Sequence, residues 1–283
     1  MIKKSILIIV MTLSLNQVQA KNLNSLWQQS FFKNALQLAT TTELEQVEKA
    51  IDAELNGHKS DLWSAVGMQR LVDEELLIFK EVKKEQRGRG LYMLNTGLVE
   101  SHILLQAPHA KADRYTGELA EQLFFQGNFH GVQWNSVYRY SEIEGMSAKA
   151  DMAHLEQTYW QVFTRTFANK FAQARIVQLH GYARSKRKSK QGKTSDMILS
   201  SGDYFPSPWI QQVAICLKES IPGRVSLFPY DINELGATRN TQGKLLRSLK
   251  HKGFLHIEMS LELRKLFLEK TELRQVLLEC LKG

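Results

Sequence analysis

Two cysteines and five prolines are all that 283 residues contain of either. So little cysteine excludes a disulfide-dense scaffold and a four-cysteine zinc site, and no C-x-x-C pair occurs. HExxH and GxSxG are also absent, which leaves zincin proteases and elbow-type serine hydrolases without support. RGRGLYM lacks the third glycine of a dinucleotide loop and leads into a strand-like run rather than a helix. There is no internal repeat and no Pro/Gly linker long enough to divide the chain. No apolar run reaches the roughly 20 residues of a membrane-spanning helix.

What is present is ordinary globular material, 43% apolar and 23% charged, enough for a sizeable core. The net charge of +8 raises nucleic acid or anionic surfaces as partners, but its distribution argues otherwise. MIKKSILIIVMTLSLNQVQA has a positive start at Lys3 and Lys4, an apolar stretch from Ile6 to Leu15, and Val18-Gln19-Ala20 as a small-residue cleavage pattern. It predicts an export signal, a mature chain from Lys21, and a periplasmic location; no Cys follows Ala20 to take a lipid. Removing the signal leaves +6. Six uncompensated cations then fall in 184–193: Arg184, Lys186, Arg187, Lys188, Lys190 and Lys193. A nucleic-acid binder spreads its cations over a face. One Ser/Gly/Lys loop is expected to be a solvated, mobile segment, or a guide for an anionic substrate or envelope polymer. Cys216 and Cys280 lie in apolar helical patterns; export permits a bridge between them, and buried free thiols are the alternative.

Residues 24–82 read as mostly helical, with a helix from Glu43 to Leu55 capped by Thr41/Thr42. Leu76–Val82 and Leu91–Asn95 flank KKEQRGRG as a hairpin. Thereafter short apolar runs alternate with helical patterns. Strands are expected at 102–107, 132–138, 176–180, 197–200, 225–228 and 254–258. Helices are expected near 115–126, 151–172, 208–219, 242–251 and 260–281. The alternation predicts one α/β domain over 21–283, a mixed, mostly parallel sheet flanked by helices, with 21–75 as a helical N-terminal layer.

In such sheets ligands gather beyond the carboxyl ends of the strands. HILLQA runs into Pro108-His109 with Asp113 after it, IVQL into His180-Gly181, and FLHI into Glu258. Two imidazoles and a carboxylate can hold zinc and leave a position for water, whose pKa the ion lowers. A further carboxylate can take the water's proton and pass it to a leaving nitrogen. His109, Asp113 and His180 are the candidate ligands and Glu258 the candidate base. Each also has an ordinary role: Asp113 as a helix cap, His180 as a strand-end histidine, Glu258 as a partner for Arg264 or a lysine. Glu118 is a competing carboxylate.

The order His109-x-x-x-Asp113 with TGELA behind it, then VQLHGY, then FLHIEMSLELR, resembles the zinc carboxypeptidase-like superfamily. Its nearest branches are the N-formylglutamate amidohydrolases and poly-γ-glutamate hydrolases. The resemblance covers roughly residues 100–270 and implies a zinc hydrolase with His109, Asp113 and His180 on the metal and Glu258 in catalysis. Two departures stand out. The acidic ligand is Asp rather than Glu, with compressed spacing, and Ala110 and Lys111 replace expected glycines.

Asn135 and Arg139 in QWNSVYRY loosely resemble the Asn/Arg pair that holds a substrate carboxylate; on an alternating strand they would share a face. Arg264, on the helix after Glu258, is a second cation, with exposure as the default. Asn240 would line the mouth of the site or serve as a turn residue.

Two functions fit. One is an exported zinc-dependent hydrolase of an amide or peptide bond in a small peptide or N-acyl amino acid. The other is a non-catalytic periplasmic binding or envelope-interaction protein with a degenerate metal site.

Overall fold

A computed structural model describes residues 26–283. The expected signal at 1–20 lies outside them. The described residues form eleven strands: β1 (Met68–Asp73), β2 (Leu76–Glu81), β3 (Leu91–Asn95), β4 (Ile103–Ala107), β5 (Gly131–Trp134), β6 (Glu142–Ile143), β7 (Met146–Lys149), β8 (Arg175–Gly181), β9 (Met197–Ser200), β10 (Val225–Leu227) and β11 (Phe254–Met259). Nine make one sheet in the order β1-β2-β3-β5-β4-β8-β11-β9-β10. β5, β4, β8 and β11 run parallel through its centre, β1 to β3 extend it antiparallel, and β9 and β10 run opposite to β11. This is the mixed α/β sheet that the alternating pattern predicts.

Among the described residues, the helices of eight or more residues are α1 (Thr41–Leu55), α2 (Thr116–Gly127), α3 (Tyr159–Lys170), α4 (Pro208–Ser220), α5 (Thr241–Ser248), α6 (Leu261–Glu269) and α7 (Thr271–Lys282). Side chains alternate across a strand, so each central strand feeds two cores. Leu105, Val177 and Ile257 meet Leu119 of α2, Val213 of α4, Phe267 of α6 and Leu277 of α7. Leu104, Ile176 and Phe254 meet Ile51 of α1, Phe163 of α3 and Leu246 of α5.

Four expectations are corrected. Part of the supposedly helical start is the β1–β2 hairpin, turned at Glu74 with φ 51°. The apolar stripe from residue 151 becomes helical only at Tyr159, where Thr158 caps the chain by accepting from Gln161 N. The terminal pattern breaks into α6 and α7, and Arg274 bridges the break by donating to the carbonyls of Phe267 and Leu268. The basic segment is docked rather than free. Arg184 pairs with Asp196, and Glu234 accepts from Lys188 N and from Ser189 N and Oγ. Lys186, Lys188, Lys190 and Lys193 remain exposed.

Cys216 of α4 and Cys280 of α7 form a disulfide with their Cα atoms 5.7 Å apart. No helix among the described residues is long and apolar enough to cross a membrane.

Candidate metal centre

A buried row of polar side chains crosses the sheet below the site. Register places Gln133, Gln106, Gln178 and His256 side by side on β5, β4, β8 and β11. All four are buried, so the three glutamines turn to one another and to neighbouring side chains for hydrogen bonds. Gln106 donates to Gln133 and, at 2.8 Å, to Thr164 of α3. Gln178 donates to Gln106 at 3.0 Å and to Gln242 of α5 at 3.1 Å. With its nitrogen committed, Gln178 offers its oxygen upward. It accepts from Asn240 at 2.6 Å and from Nε2 of His180 at 2.8 Å.

That contact fixes the tautomer of His180. An amide oxygen only accepts, so Nε2 carries the hydrogen and Nδ1 keeps a lone pair. His109 is fixed in the same way. It sits just past β4, and its Nε2 lies 2.7 Å from Oδ1 of Asp151, which orients it as the donor. Both Nδ1 atoms then face Oδ2 of Asp113. His109 Nδ1 is 3.2 Å from Asp113 Oδ2 and 3.1 Å from His180 Nδ1, and His180 Nδ1 is 3.5 Å from the same oxygen. Three electron-pair donors thus converge, held from behind by Gln178, Asp151 and the amide of Gly181, which donates to Asp113 at 3.1 Å. Bonds of about 2.0–2.1 Å to zinc set tetrahedral edges of about 3.3–3.4 Å, so the three spacings suit that ion.

Burial sets the electrostatics. It lowers His180 to about 4 and holds His256 well below its usual range. Burial and then the Asp113 charge push Glu258 up to about 8. Against the desolvation that would raise it, hydrogen bonds and charge from His109 and His180 keep Asp113 far below its ordinary value. Burial alone would lower His109, but Asp113 and Asp151 raise it. A cation at the centre opposes the rise at Glu258 and removes the need for a proton on His109.

A cavity of about 400 Å³ opens above the donors. His109, His180, His256, Glu258, Arg139, Asn240, Arg239 and Tyr204 are among its walls. The structure therefore brings His109, Asp113, His180 and Glu258 into one place. Glu118 stands elsewhere, in a separate hollow beside Trp27 and Lys111.

The expected substrate contacts are distributed differently. β5 ends at Trp134, so 135–139 is a loop and not an alternating strand. Asn135 is consumed by backbone: it donates to Pro108 O at 2.9 Å and accepts from Val137 N at 3.0 Å, which fixes the turn carrying His109. Arg139 does reach the site, but it pairs with Asp151 and lies 3.1 Å from His109 Nδ1. Arg264 is buried, not exposed; it lies against Gly181, where a Cβ would strike the guanidinium, and donates to the carbonyls of Arg114 and Ser260. Asn240 is both the cap of α5, accepting from Gly243 N, and a wall of the cavity. Arg239 is exposed at the cavity with no ion pair among the described residues.

Sequence reasoning misses Asp151, His256 and Gln178. His256 and Gln178 each precede a candidate residue by two, the strand spacing that puts both on one face. Asp151 has no such signal, because only the loop fold brings it 42 positions back to His109.

No family model matches the chain, and no curated protein does. Among solved structures, the chain is similar to a bacteriophage poly-gamma-glutamate hydrolase, at 11% identity over 70% of this chain and 89% of that one, TM-score 0.40. It is similar to a putative carboxypeptidase from Burkholderia mallei, at 9% identity over 82% of this chain and 65% of that one, TM-score 0.44. A succinylglutamate desuccinylase from Chromobacterium violaceum matches at 12% identity over 85% of this chain and 73% of that one, TM-score 0.42.

Proposed function

We propose that the chain is a zinc-dependent hydrolase of an amide or peptide bond in a carboxylate-bearing substrate, carboxypeptidase- or amidohydrolase-like, acting in the periplasm after loss of residues 1–20. The observation that carries this is the convergence of His109 Nδ1, His180 Nδ1 and Asp113 Oδ2 within 3.1–3.5 Å. Those three residues would hold the ion. When bound, zinc supplies Lewis acidity towards a carbonyl and acidity to a water molecule.

The chain's own groups supply the rest. Glu258, buried in the cavity wall, takes the proton of the attacking water and hands it to the leaving nitrogen. Arg139 stands at the same wall and offers its cation to the charge that develops on the carbonyl oxygen. Asp151 keeps the Nε2 proton on His109, and Gln178 keeps it on His180. Arg239, unpaired at the mouth, suits the free carboxylate of the substrate. The exposed lysines of 184–193 would meet anionic envelope polymers around that substrate.

The test is Glu258→Gln, assayed on N-acyl amino acids and γ-glutamyl and cell-wall peptides beside elemental analysis. The expected result is full zinc content with kcat lowered about 10²–10⁴-fold. Normal turnover in the variant would remove Glu258 from the chemistry. A wild-type protein that takes up no zinc would instead leave a non-catalytic envelope-binding protein with a degenerate site.

A further inference from the structure

The sheet sets a second trio of donors beside the first. β8 and β11 are parallel neighbours, with Glu258 opposite His180 and His256 opposite Gln178. Residues 256 and 258 point to one face, so His180, His256 and Glu258 converge, with ligand atoms all within 4.8 Å of one another. All three side chains are buried.

The two trios differ in how their polar atoms are used. In the first, Asp113 accepts from Gly181 N, and His109 gives its Nε2 hydrogen to Asp151. In the second, Nδ1 of His256 and Oε2 of Glu258 are buried with no hydrogen-bond partner among the described residues. His256 Nε2 stays 3.8 Å from Glu258 Oε1, too far for a hydrogen bond. A buried polar atom without a partner is destabilising, and one on each of these two residues, which also line one cavity, asks for a ligand. Both residues line the cavity, which gives that ligand a route from solvent. Two imidazoles and a carboxylate are a donor set that zinc accepts.

We propose that His180, His256 and Glu258 form a second divalent-cation position, overlapping the first at His180 and filled in alternation with it. His180 donates its Nε2 hydrogen to Gln178, so a single lone pair, on Nδ1, serves one ion at a time. This builds on the zinc-hydrolase reading and adds a resting state to it. With the ion in the second position, Glu258 is a ligand and no longer free to accept a proton. The second trio sits wholly on strands, whereas the first draws His109 and Asp113 from the turn after β4. Whatever shifts that turn moves the balance between the two positions.

The experiment measures zinc content and zinc affinity by chelator competition on the full chain. The proteins are wild type, His109→Ala, Asp113→Asn, His180→Ala and the double variant His109→Ala/His256→Ala, each checked for folding by circular dichroism. Two different lesions of the first trio guard against one failing to fold. The expected result is that both single lesions of the first trio still hold about one zinc per chain, with affinity lowered about 10–100-fold. The double variant and His180→Ala hold none. Cobalt in place of zinc should give a visible spectrum in His109→Ala that differs from wild type and vanishes in the double variant. The proposal is overturned if His109→Ala and Asp113→Asn are as empty as His180→Ala, or if adding His256→Ala changes nothing. A wild type that binds no zinc is a separate outcome, and it sinks the zinc-hydrolase reading itself.

Discussion

At the scale of single residues, two amide and carboxylate oxygens decide what the histidines can do. Gln178 and Asp151 fix both Nε2 hydrogens, and the lone pairs that remain make the centre. Gln178→Leu should therefore weaken zinc binding about 10–100-fold without removing a ligand, read by chelator competition. A merely structural role for Gln178 would lower stability and leave zinc affinity where it was. A different histidine pair sets a pH limit away from the site. His130, just before β5, packs on Phe167 and Phe171 and lies 2.8 Å from His102. Burial, and then the charge of His102, lower His130 to about 4. The unfolded chain takes up this proton near pH 6.5, the fold only near 4. The stability contributed by the neutral ring is thus complete above 6.5 and lost as pH falls towards 4, by at most about 3 kcal/mol. His130→Phe should flatten the denaturation midpoint across that window; an unchanged slope would place the sensitivity elsewhere.

At the scale of elements, strands were more legible than their surroundings. HILLQA, IVQLHG and FLHIEM are apolar runs whose ends carry the chemistry, and each forms a central strand within a residue or two of its expected limits. The helix at Glu43–Leu55 was legible but its cap was not: the expected Thr41/Thr42 lie inside α1, and Thr40 and Glu43 form the reciprocal capping box at its head. Loops were not legible. Asn135 has the residue type for substrate binding, but the end of β5 turns it into a brace for Pro108. The basic segment has the composition of a free loop, but Glu234, 45 positions from Ser189, pins it. Such long-range pairings leave no local periodicity. The disulfide belongs here as well, since helical patterning alone could not bring α4 to α7. It closes a separation of 64 residues, for which loop entropy stabilises the fold by about 4 kcal/mol. Cys216→Ala/Cys280→Ala should lose up to that amount in denaturant unfolding. Equal stability of the two forms would mean that the thiols are unbridged in solution.

At the scale of the whole molecule, the sheet separates structural and chemical work. The face under α2, α4, α6 and α7 is apolar core, whereas the α1/α3/α5 face combines core with the glutamine row and, at the strand ends, the donors. The donors are brought together only by the folded chain, so an ion that binds them stabilises the native state alone. At a free zinc concentration about 100-fold above Kd, that linkage adds about 2.7 kcal/mol. For a domain of this size the melting temperature should rise by about 5–10 °C on zinc addition and fall again on chelation. Glu258→Gln should keep most of the shift, because the first trio is intact; His180→Ala, which removes the donor common to both trios, should show none. A wild-type melting temperature indifferent to both zinc and chelator would mean that the converging lone pairs are not a cation site. The cavity above them would then have to recognise its ligand through its other polar walls, Arg139, Arg239, Asn240 and Tyr204 among them.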